Sequence, residues 1–376
     1  MYRGQGDCMG ADLALLQNKV GVGGRSKVLA GAVKTLGDSA EDIYLFTFSS
    51  RSDFDNFVSH YGLSDFQLSL RRVPIIGTLI PGTIYQQPLL NTFAYNELSE
   101  FDLVFNSNNC LRFLPAGPHY VNYIHEPTPA IPKTDQRYVN SRLLRLAAFP
   151  IGLLHRYSSA SLSNRQSILV NSAYTGQQFE SVYGQAPDNI VYPPCIDSVE
   201  VSSFRGEGVM SLGSFHPNKR QLFQIQVASR LPDTPFTIVG RKASSRYFKR
   251  CAAAIRSNGL DNVELLTDLS ISDIKQLLEA RKVFLHTMIN EPFGISIVEA
   301  INHGCVPIVH DSGGQREIVT DDEFRFEGLD DCVELVRNTL QGNNHPRVEP
   351  FLDKLTGFTY ESFRRNLLKT LPNEEP

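Results

Sequence analysis

The chain has 376 residues, of which 41% are hydrophobic and 20% are charged, and its formal net charge at pH 7 is −4. This length allows two domains with buried cores, and the acidic balance gives no indication of nucleic-acid binding. The six cysteines are dispersed without a Cys-x-x-Cys pair, which argues against a zinc site or a redox motif and fits a reducing compartment.

Two features of the sequence bear on membrane contact. The N-terminus is polar and lacks the apolar core of a signal peptide. The longest apolar run, at 146–154, is far shorter than the ~20 residues that cross a bilayer. We therefore expect a cytoplasmic protein, and we leave open peripheral contact with the cytoplasmic face of a membrane.

The first half of the chain alternates predicted strands and helices. A strand at 12–17, a glycine loop at 21–24 and a helix at 25–36 form the opening unit of a nucleotide-binding α/β domain. Further strands are predicted at 43–48, 101–105, 120–125 and 167–170. The segment 73–95 is rich in proline, glycine and apolar side chains and is predicted to be irregular.

The second half begins after a Val-Tyr-Pro-Pro-Cys run at 191–195, which predicts a crossing between two domains. A Pro-Pro step continues neither a helix nor a central strand. Strands then alternate with helices, and this order predicts a parallel sheet. The strands are expected at 209–213, 236–240, 263–266, 283–287 and 305–310, and the helices at 219–230, 246–257, 272–280, 296–303 and 358–371.

Two carboxylates, Glu291 and Glu299, flank a tight turn that opens a helix. A helix N-terminus suits a phosphate, and a carboxylate accepts hydrogen bonds from two vicinal sugar hydroxyls. Two isolated glutamates are more often a helix-start acid and an exposed helical residue. Their spacing nevertheless fits a site for the sugar, the ribose and the diphosphate of a nucleotide sugar. Four residues between them bring the backbone to the helix end: Pro292, Phe293, Gly294 and Ile295.

The segment after Glu299 supports the interpretation as a nucleotide-sugar site. The helix is expected to stop at Gly304, and a buried strand leads to the Gly313-Gly314 loop. Ligands of open α/β sheets bind at this carboxyl edge of the strands. The combined pattern resembles the E-x7-E signature of retaining glycosyltransferases of family 4, which have the GT-B fold.

The resemblance implies an α/β protein of the GT-B fold, with two Rossmann-like domains whose parallel sheets face each other across a cleft. It implies an acceptor-binding domain at 1–193 and a nucleotide-sugar-binding domain at 194–355. A C-terminal helix at 356–376 is then expected to cross back onto the first domain.

A second motif, at 211–220, follows a strand and carries Lys219. A lysine there is a point charge within reach of a diphosphate, although most such lysines only face water. The resemblance implies the family's Gly-Arg-x-x-x-x-Lys diphosphate loop, in which Lys219 matches the lysine but Ser214 replaces the arginine. Three residues are candidates for the missing cation: Arg220, Arg241 and His216.

The resemblance also assigns roles to individual residues. His125, at the end of a first-domain strand, is expected to line the donor sugar with its ring or carbonyl, although a lone histidine is more often structural. Glu291 is expected to hold sugar hydroxyls and Glu299 the ribose. Gly23 and Gly24 of the first glycine loop are expected to contact the donor through their amides.

Two further segments have weaker signals. Asp53 and Asp55 form an acid pair that is common by chance, and we expect no metal there. The apolar, arginine-flanked segment 141–156 is predicted to be a buried helix pair broken at Pro150, in preference to a lipid-surface segment. If the acceptor is lipid-linked, this segment and 75–80 are where contact with it is expected.

The function that the resemblance implies is that of a retaining hexosyltransferase. It would move a hexose from a UDP- or GDP-sugar to a hydroxyl of a sugar or lipid-linked acceptor, with neither a metal nor another cofactor. The block at 190–195 and the Phe-x-Pro-x-Lys run ending at Lys219 look most like mannosyltransferases that build lipid-linked oligosaccharides. A catalytically impaired GT-B scaffold subunit and a GT-B sugar-nucleotide epimerase remain as alternatives.

Overall fold

The computed structural model describes residues 12–73, 83–127, 141–143, 145–146, 149, 166–201, 206–342 and 348–371. The chain forms two compact units. The first contains the described residues of 12–127 and 166–194 together with the C-terminal segment from Tyr360. The second runs from Cys195 to Thr359.

In the described part of the first unit, seven strands form a parallel sheet in the order β3-β2-β1-β4-β5-β6-β7. The strands are β1 (Leu13–Leu16), β2 (Ile43–Thr47), β3 (Leu68–Arg72), β4 (Leu103–Asn106), β5 (His119–Ile124), β6 (Gln166–Val170) and β7 (Asn189–Ile190). The central strand β1 is buried along its whole length, as its uninterrupted apolar sequence requires.

In the described residues of 12–127 and 166–194, the helices are α1 (Gly24–Leu36), α2 (Arg51–Tyr61), α3 (Thr83–Leu98) and α4 (Ala173–Tyr183). The prediction of irregular structure at 73–95 is wrong from Thr83 onward, because α3 tolerates Pro88 within it. Its inner side carries Leu90, Ala94 and Leu98, which are spaced four apart and buried. Residues 74–82 lie outside the described residues.

In the described part of the second unit, six strands form a parallel sheet in the order β10-β9-β8-β11-β12-β13. The strands are β8 (Val209–Leu212), β9 (Phe236–Val239), β10 (Val263–Leu266), β11 (Val283–His286), β12 (Val306–His310) and β13 (Arg325–Phe326). The helices are α5 (Gln221–Ser229), α6 (Ser245–Ser257), α7 (Ile271–Glu279), α8 (Ile295–Asn302), α9 (Gln315–Ile318), α10 (Leu329–Gln341) and α11 (Glu349–Leu355). The predicted parallel sheet and the alternating elements are confirmed.

One boundary near the predicted site is wrong. The helix expected from residue 219 begins at Gln221, and Lys219 ends a separate 3-10 turn, Pro217–Lys219. The reason is Arg220, which has a φ of 55° and so cannot continue a right-handed helix. Lys219 therefore sits on a sharp corner between two short elements.

The last helix, α12 (Tyr360–Leu368), belongs to the first unit and packs on α1. Close packing is possible because α1 has a glycine at the contact. A Cβ atom on Gly31 would lie 2.8 Å from Pro194 Cγ and 3.1 Å from Phe363 Cε1.

Candidate functional site

Two loops at the carboxyl edge of the second sheet are joined by hydrogen bonds. The amide of Gly314 donates to the carbonyl of Glu291 at 2.8 Å, and the amide of Asn290 donates to Ser312 Oγ at 2.9 Å. Gly313 has a φ of 70°, and a Cβ there would lie 2.6 Å from the Glu291 carbonyl oxygen. The Gly-Gly pair thus allows the loop after β12 to touch the loop after β11.

Glu291 is the centre of a compact charge cluster. One of its carboxylate oxygens, Oε2, lies 2.5 Å from Lys219 Nζ and 3.3 Å from His286 Nε2, and the side chain is 14% exposed. Burial by itself raises the pKa of the Glu291 carboxyl, but the Lys219 ammonium and the His286 hydrogen bond outweigh it. The pKa therefore lies well below its ordinary range, and Glu291 is ionised at neutral pH.

Hydrogen bonds to Gln315 orient the ring of His286. Gln315 Nε2 donates to the carbonyls of Met288, at 3.0 Å, and His310, at 2.6 Å. Its Oε1 is therefore an acceptor, and His286 Nδ1 lies 2.8 Å from it. The other ring nitrogen faces the Glu291 carboxylate, which is also an acceptor. His286 therefore lies between two acceptors, the side-chain oxygen of Gln315 and the carboxylate of Glu291.

Two other titratable side chains, His310 and Arg220, lie near this cluster. Burial, followed by the charge of Arg220, lowers the pKa of the neighbouring His310 to about 4, so His310 is neutral at pH 7. Arg220 itself donates from Nη1 to the carbonyl of Thr287 at 3.1 Å and stacks over Phe223 at 4.4 Å. Lys219 is thus the cation in direct contact with the Glu291 carboxylate.

Lys219 is held in place through its backbone. Its carbonyl accepts a hydrogen bond from Thr287 Oγ1 at 2.8 Å, and Thr287 Oγ1 in turn accepts from Gln224 Nε2 at 2.8 Å. The corner is thus fixed to the end of β11 and to α5, and the lysine side chain has a defined starting point.

The candidates for the missing arginine at Ser214 differ in their surroundings. Arg220 is used by the fold, as described above, and His216 Nδ1 accepts from the amide of Asn218 at 3.3 Å. Arg241 is exposed at the end of β9, and its carbonyl accepts from the amide of Phe215 at 2.8 Å. Arg241 is therefore the candidate whose charged group faces solvent beside the Ser214 loop.

Helix α8 begins directly beside this cluster. Gly294 has a φ of 114°, and Phe293 is buried against the ring of Phe358 at 5.3 Å. The sharp turn aims the first amides of the helix, which have no intrahelical acceptor, at the carboxyl edge. Glu299 lies one turn inside the helix and is partly exposed.

The first unit also carries predicted site residues at its carboxyl edge. Gly23 and Gly24 open α1, and the amide of Gly23 donates to Tyr61 Oη at 3.2 Å. His125 follows β5 and is buried, with Nε2 2.7 Å from Ser107 Oγ. Burial, and secondarily the charge of Arg25, lowers the pKa of His125 well below its ordinary value. The ring is therefore neutral at pH 7.

Comparison with known proteins identifies the second unit. Residues 205–346 match the family model described as glycosyl transferases group 1. The second unit contains a glycosyl transferase group 1 domain.

The curated relatives match only part of the chain. The GDP-Man:Man(3)GlcNAc(2)-PP-Dol alpha-1,2-mannosyltransferase of Mus musculus is 30% identical over 184 residues, which cover 43% of this chain and 37% of the relative. The protein of that name from Homo sapiens is 27% identical over 209 residues, which cover 48% of this chain and 42% of the relative. The chain thus spans less than half the length of these relatives.

Solved structures share the fold over nearly the whole chain. HepE from Anabaena in complex with UDP-glucose has a TM-score of 0.72 at 18% identity, covering 96% of this chain and 99% of that one. Sucrose-phosphate synthase from Thermosynechococcus elongatus has a TM-score of 0.71 at 14% identity, covering 96% and 98%. At such identities the likeness shows the fold alone, which is the GT-B fold of two Rossmann-like domains.

Within the group 1 domain the structure brings together Lys219, Glu291 and the start of α8. It adds two residues that sequence reasoning missed, His286 and Gln315. Only a weak sequence pattern pointed to His286. It ends β11 after apolar strand residues, just as His125 follows the apolar end of β5.

A buried amide network in the first unit was also missed. Residues 106–109 begin with the last residue of β4 and are all buried. Asn106 Nδ2 donates to Asn122 Oδ1 at 2.8 Å, and Asn109 Oδ1 accepts from the amide of His125 at 2.8 Å. Asn171 Nδ2 donates to the His125 carbonyl at 3.1 Å. The Asn-Ser-Asn-Asn run was the signal, and it anchors the loop that carries His125.

The weaker predictions have local explanations or lie outside the described residues. Asp53 accepts from the amide of Ser50 at 3.1 Å in a capping box that starts α2, and Asp55 pairs with Arg51 at 2.9 Å. Residues 75–80 and most of 141–156 lie outside the described residues. No helix in the described ranges combines the length and apolar character needed to cross a bilayer.

Proposed function

We propose that this chain is a retaining hexosyltransferase that transfers mannose from GDP-mannose to a hydroxyl of a lipid-linked oligosaccharide at the cytoplasmic face of a membrane. The observation that carries the proposal is the Lys219–Glu291–His286 cluster beside the start of α8, inside the group 1 domain. The choice of donor and acceptor follows the names of the curated relatives.

The charges of the cluster suit a nucleotide diphosphate. Transfer leaves negative charge on the departing diphosphate, and cations or helix amides already in place stabilise it. In the proposal Lys219 exchanges its contact with Glu291 for the diphosphate, and the amides after Gly294 bind a second phosphate oxygen. Arg241 supplies the cation that the loop lacks at Ser214.

Glu291 is proposed to bind the donor sugar. Once Lys219 turns to the diphosphate, His286 Nε2 still lies 3.3 Å from Glu291 Oε2, and this hydrogen bond lowers the pKa of the Glu291 carboxyl. An ionised carboxylate only accepts hydrogen bonds, so it orients sugar hydroxyls and leaves the acceptor to attack from the face that the diphosphate leaves. Glu299 is proposed to hold the ribose hydroxyls. The positive charge comes from side chains and helix amides, so the proposal includes no metal.

The proposal is tested first by donor-dependent thermal stabilisation of the full chain. GDP-mannose, UDP-glucose and ADP-glucose are compared for Glu299→Gln and for a matched control, Glu334→Gln, an exposed glutamate on α10. At a donor concentration near 100 times Kd, binding contributes about 2.7 kcal/mol, which raises Tm by about 5 °C or more. We expect this rise with GDP-mannose, its loss in Glu299→Gln and its retention in the control.

The second step separates an enzyme from a scaffold subunit. Release of GDP from GDP-mannose is measured with a dolichol-linked oligosaccharide acceptor, and the anomeric configuration of the product is determined by NMR. Donor binding without acceptor-dependent release would support the impaired scaffold instead. An inverted product would contradict the retaining mechanism, and equal stabilisation by all three donors would contradict the assignment of the donor.

A further inference from the structure

Helix α6 and the loop before it carry an uninterrupted set of positive charges. Between Asp233 and Asp261 the chain has no acidic residue. This interval contains six basic residues, which we call the basic strip: Arg241, Lys242, Arg246, Lys249, Arg250 and Arg256. All six are exposed. Since the net charge of the chain is −4, the remainder carries an excess of negative charge.

The helical members of the basic strip share one face of α6. Arg246, Lys249, Arg250 and Arg256 recur at helical spacing, with the exposed Ala253 between them. The opposite face carries Tyr247 and Cys251, which are buried in the core. The apolar side of the helix is therefore used by the fold, and the cationic side remains outside.

The placement of these charges lowers the stability of the helix. Arg246, Lys249 and Arg250 lie in the N-terminal half of α6, where the helix dipole repels cations. Arg246 is also three and four positions from two like charges, which adds repulsion. Among the described residues, no ion pair involves any member of the basic strip. A partner outside the chain would supply the missing negative charge.

We propose that the basic strip docks on the anionic surface of a membrane. A row of long cationic side chains on a convex helix matches a plane of phosphate headgroups, and clusters of four to eight Lys/Arg on a helix bind anionic lipids. Single-stranded nucleic acid is a poorer match, because α6 presents no exposed aromatic ring on which bases stack.

The evidence for the basic strip is separate from the evidence for the proposed function. The charge pattern stands without any assignment of activity. The choice of a membrane rests in part on the proposed function, since a lipid-linked acceptor would be presented at such a surface. Arg241 is shared with the proposed donor site, so it is left unchanged in the test.

The test is sedimentation of the full chain with vesicles, without donor or acceptor. Vesicles of phosphatidylcholine alone are compared with vesicles that contain ~30% phosphatidylserine. One variant combines Arg246→Gln, Lys249→Gln and Arg250→Gln. The matched control removes the same total charge from exposed positions on α7, α10 and α12, with Lys275→Gln, Arg337→Gln and Arg365→Gln.

Each cation near an anionic surface changes partitioning about five-fold, so the strip variant should bind phosphatidylserine vesicles about 100-fold more weakly than the unmodified chain. The control should bind within about three-fold of the unmodified chain, and phosphatidylcholine alone should bind none of the three proteins. The Tm of the strip variant should be unchanged or higher, because repulsion on α6 is relieved.

Equal loss of binding in the strip variant and the control would overturn the proposal, as would binding that does not depend on phosphatidylserine. Strip-dependent binding to an RNA oligonucleotide with none to vesicles would assign the strip to nucleic acid instead. Because vesicle binding is measured without a donor, it can fail while GDP-mannose still raises Tm, and the reverse outcome is equally visible.

Discussion

Removal of the Lys219 ammonium tests the charge cluster of the group 1 domain. Lys219→Met keeps most of the aliphatic stem, while Glu291 loses a cation 2.5 Å away and keeps His286 at 3.3 Å. The carboxylate is 14% exposed, so water replaces the ammonium only in part. Breaking a buried pair from one side costs about 3–5 kcal/mol. With His286 still in place, we expect a loss of about 2–3 kcal/mol in the free energy of unfolding.

The pairwise part of this loss is isolated by a double-mutant cycle. Glu291→Gln leaves Lys219 without its ion-pair partner, so the free energy of unfolding should again fall by about 2 kcal/mol or more. The double variant should be less destabilised than the sum of the singles, with a coupling energy of about 2 kcal/mol. The assay is urea unfolding of all four proteins at pH 7. The exposed pair of Arg230 and Asp330, at 3.4 Å, serves as the control, with an expected coupling below about 0.5 kcal/mol.

Additive losses would refute this reasoning. If the coupling between Lys219 and Glu291 is no larger than that of the exposed control pair, the two side chains do not hold each other in solution. The proposal that a donor takes Lys219 away from Glu291 would then lose its structural basis, whatever the thermal-shift experiment shows.

Three further predictions concern the same region. The pKa of Glu291 is depressed in the folded chain, so its stabilisation should be present above the unfolded carboxyl pKa of about 4.3 and lost as pH falls further; urea unfolding should show the advantage over Glu291→Gln at pH 5 shrinking toward pH 3. Gly313→Ala should cost about 2 kcal/mol or more in urea unfolding because its Cβ would lie 2.6 Å from a carbonyl oxygen, whereas Gly328→Ala, with no atom within 4 Å, should cost less than about 1 kcal/mol. Gln315→Leu removes the hydrogen bonds of Gln315 to His286, Met288 and His310, so it should lower the free energy of unfolding by about 2 kcal/mol or more; a loss below about 0.5 kcal/mol in urea unfolding would contradict this role of Gln315.

The predictions of strands and helices succeeded where the apolar pattern is regular. In the second unit the strand at 263–266 is confirmed without change, and the neighbouring elements shift by one or two residues at their ends. They failed where one residue departs from its usual preference. The prediction missed α3 because of Pro88, although the spacing of Leu90, Ala94 and Leu98 indicated its buried side. Arg220 adopted a left-handed backbone conformation that arginine rarely takes, so the helix start was misplaced.

The site was predictable only to the level of motifs. Spacing and glycine content indicated that the loops at Glu291 and Gly313 lie at the same sheet edge, and the family resemblance added Lys219. The roles of His286 and Gln315 depend on hydrogen-bond directions between β11 and the loop after β12, which no local pattern specifies. The net charge of the second half of the chain does not reveal the basic strip, because residues 196–376 together carry 21 basic and 25 acidic residues.

The two cationic features of the second unit differ in whether a carboxylate lies beside the positive charges. Lys219 pairs with the Glu291 carboxylate, so its charge is balanced within the fold and becomes available only when an anion replaces Glu291 as its partner. The basic strip has no ion pair among the described residues and opposes the dipole of α6, which is why we propose an anionic surface as its partner. Exposed charges are screened beyond about 8 Å at physiological salt, whereas buried pairs are screened much less. Added salt should therefore weaken vesicle binding steeply while leaving the coupling of Lys219 and Glu291 nearly intact, which gives the two sites separable signatures in one protein.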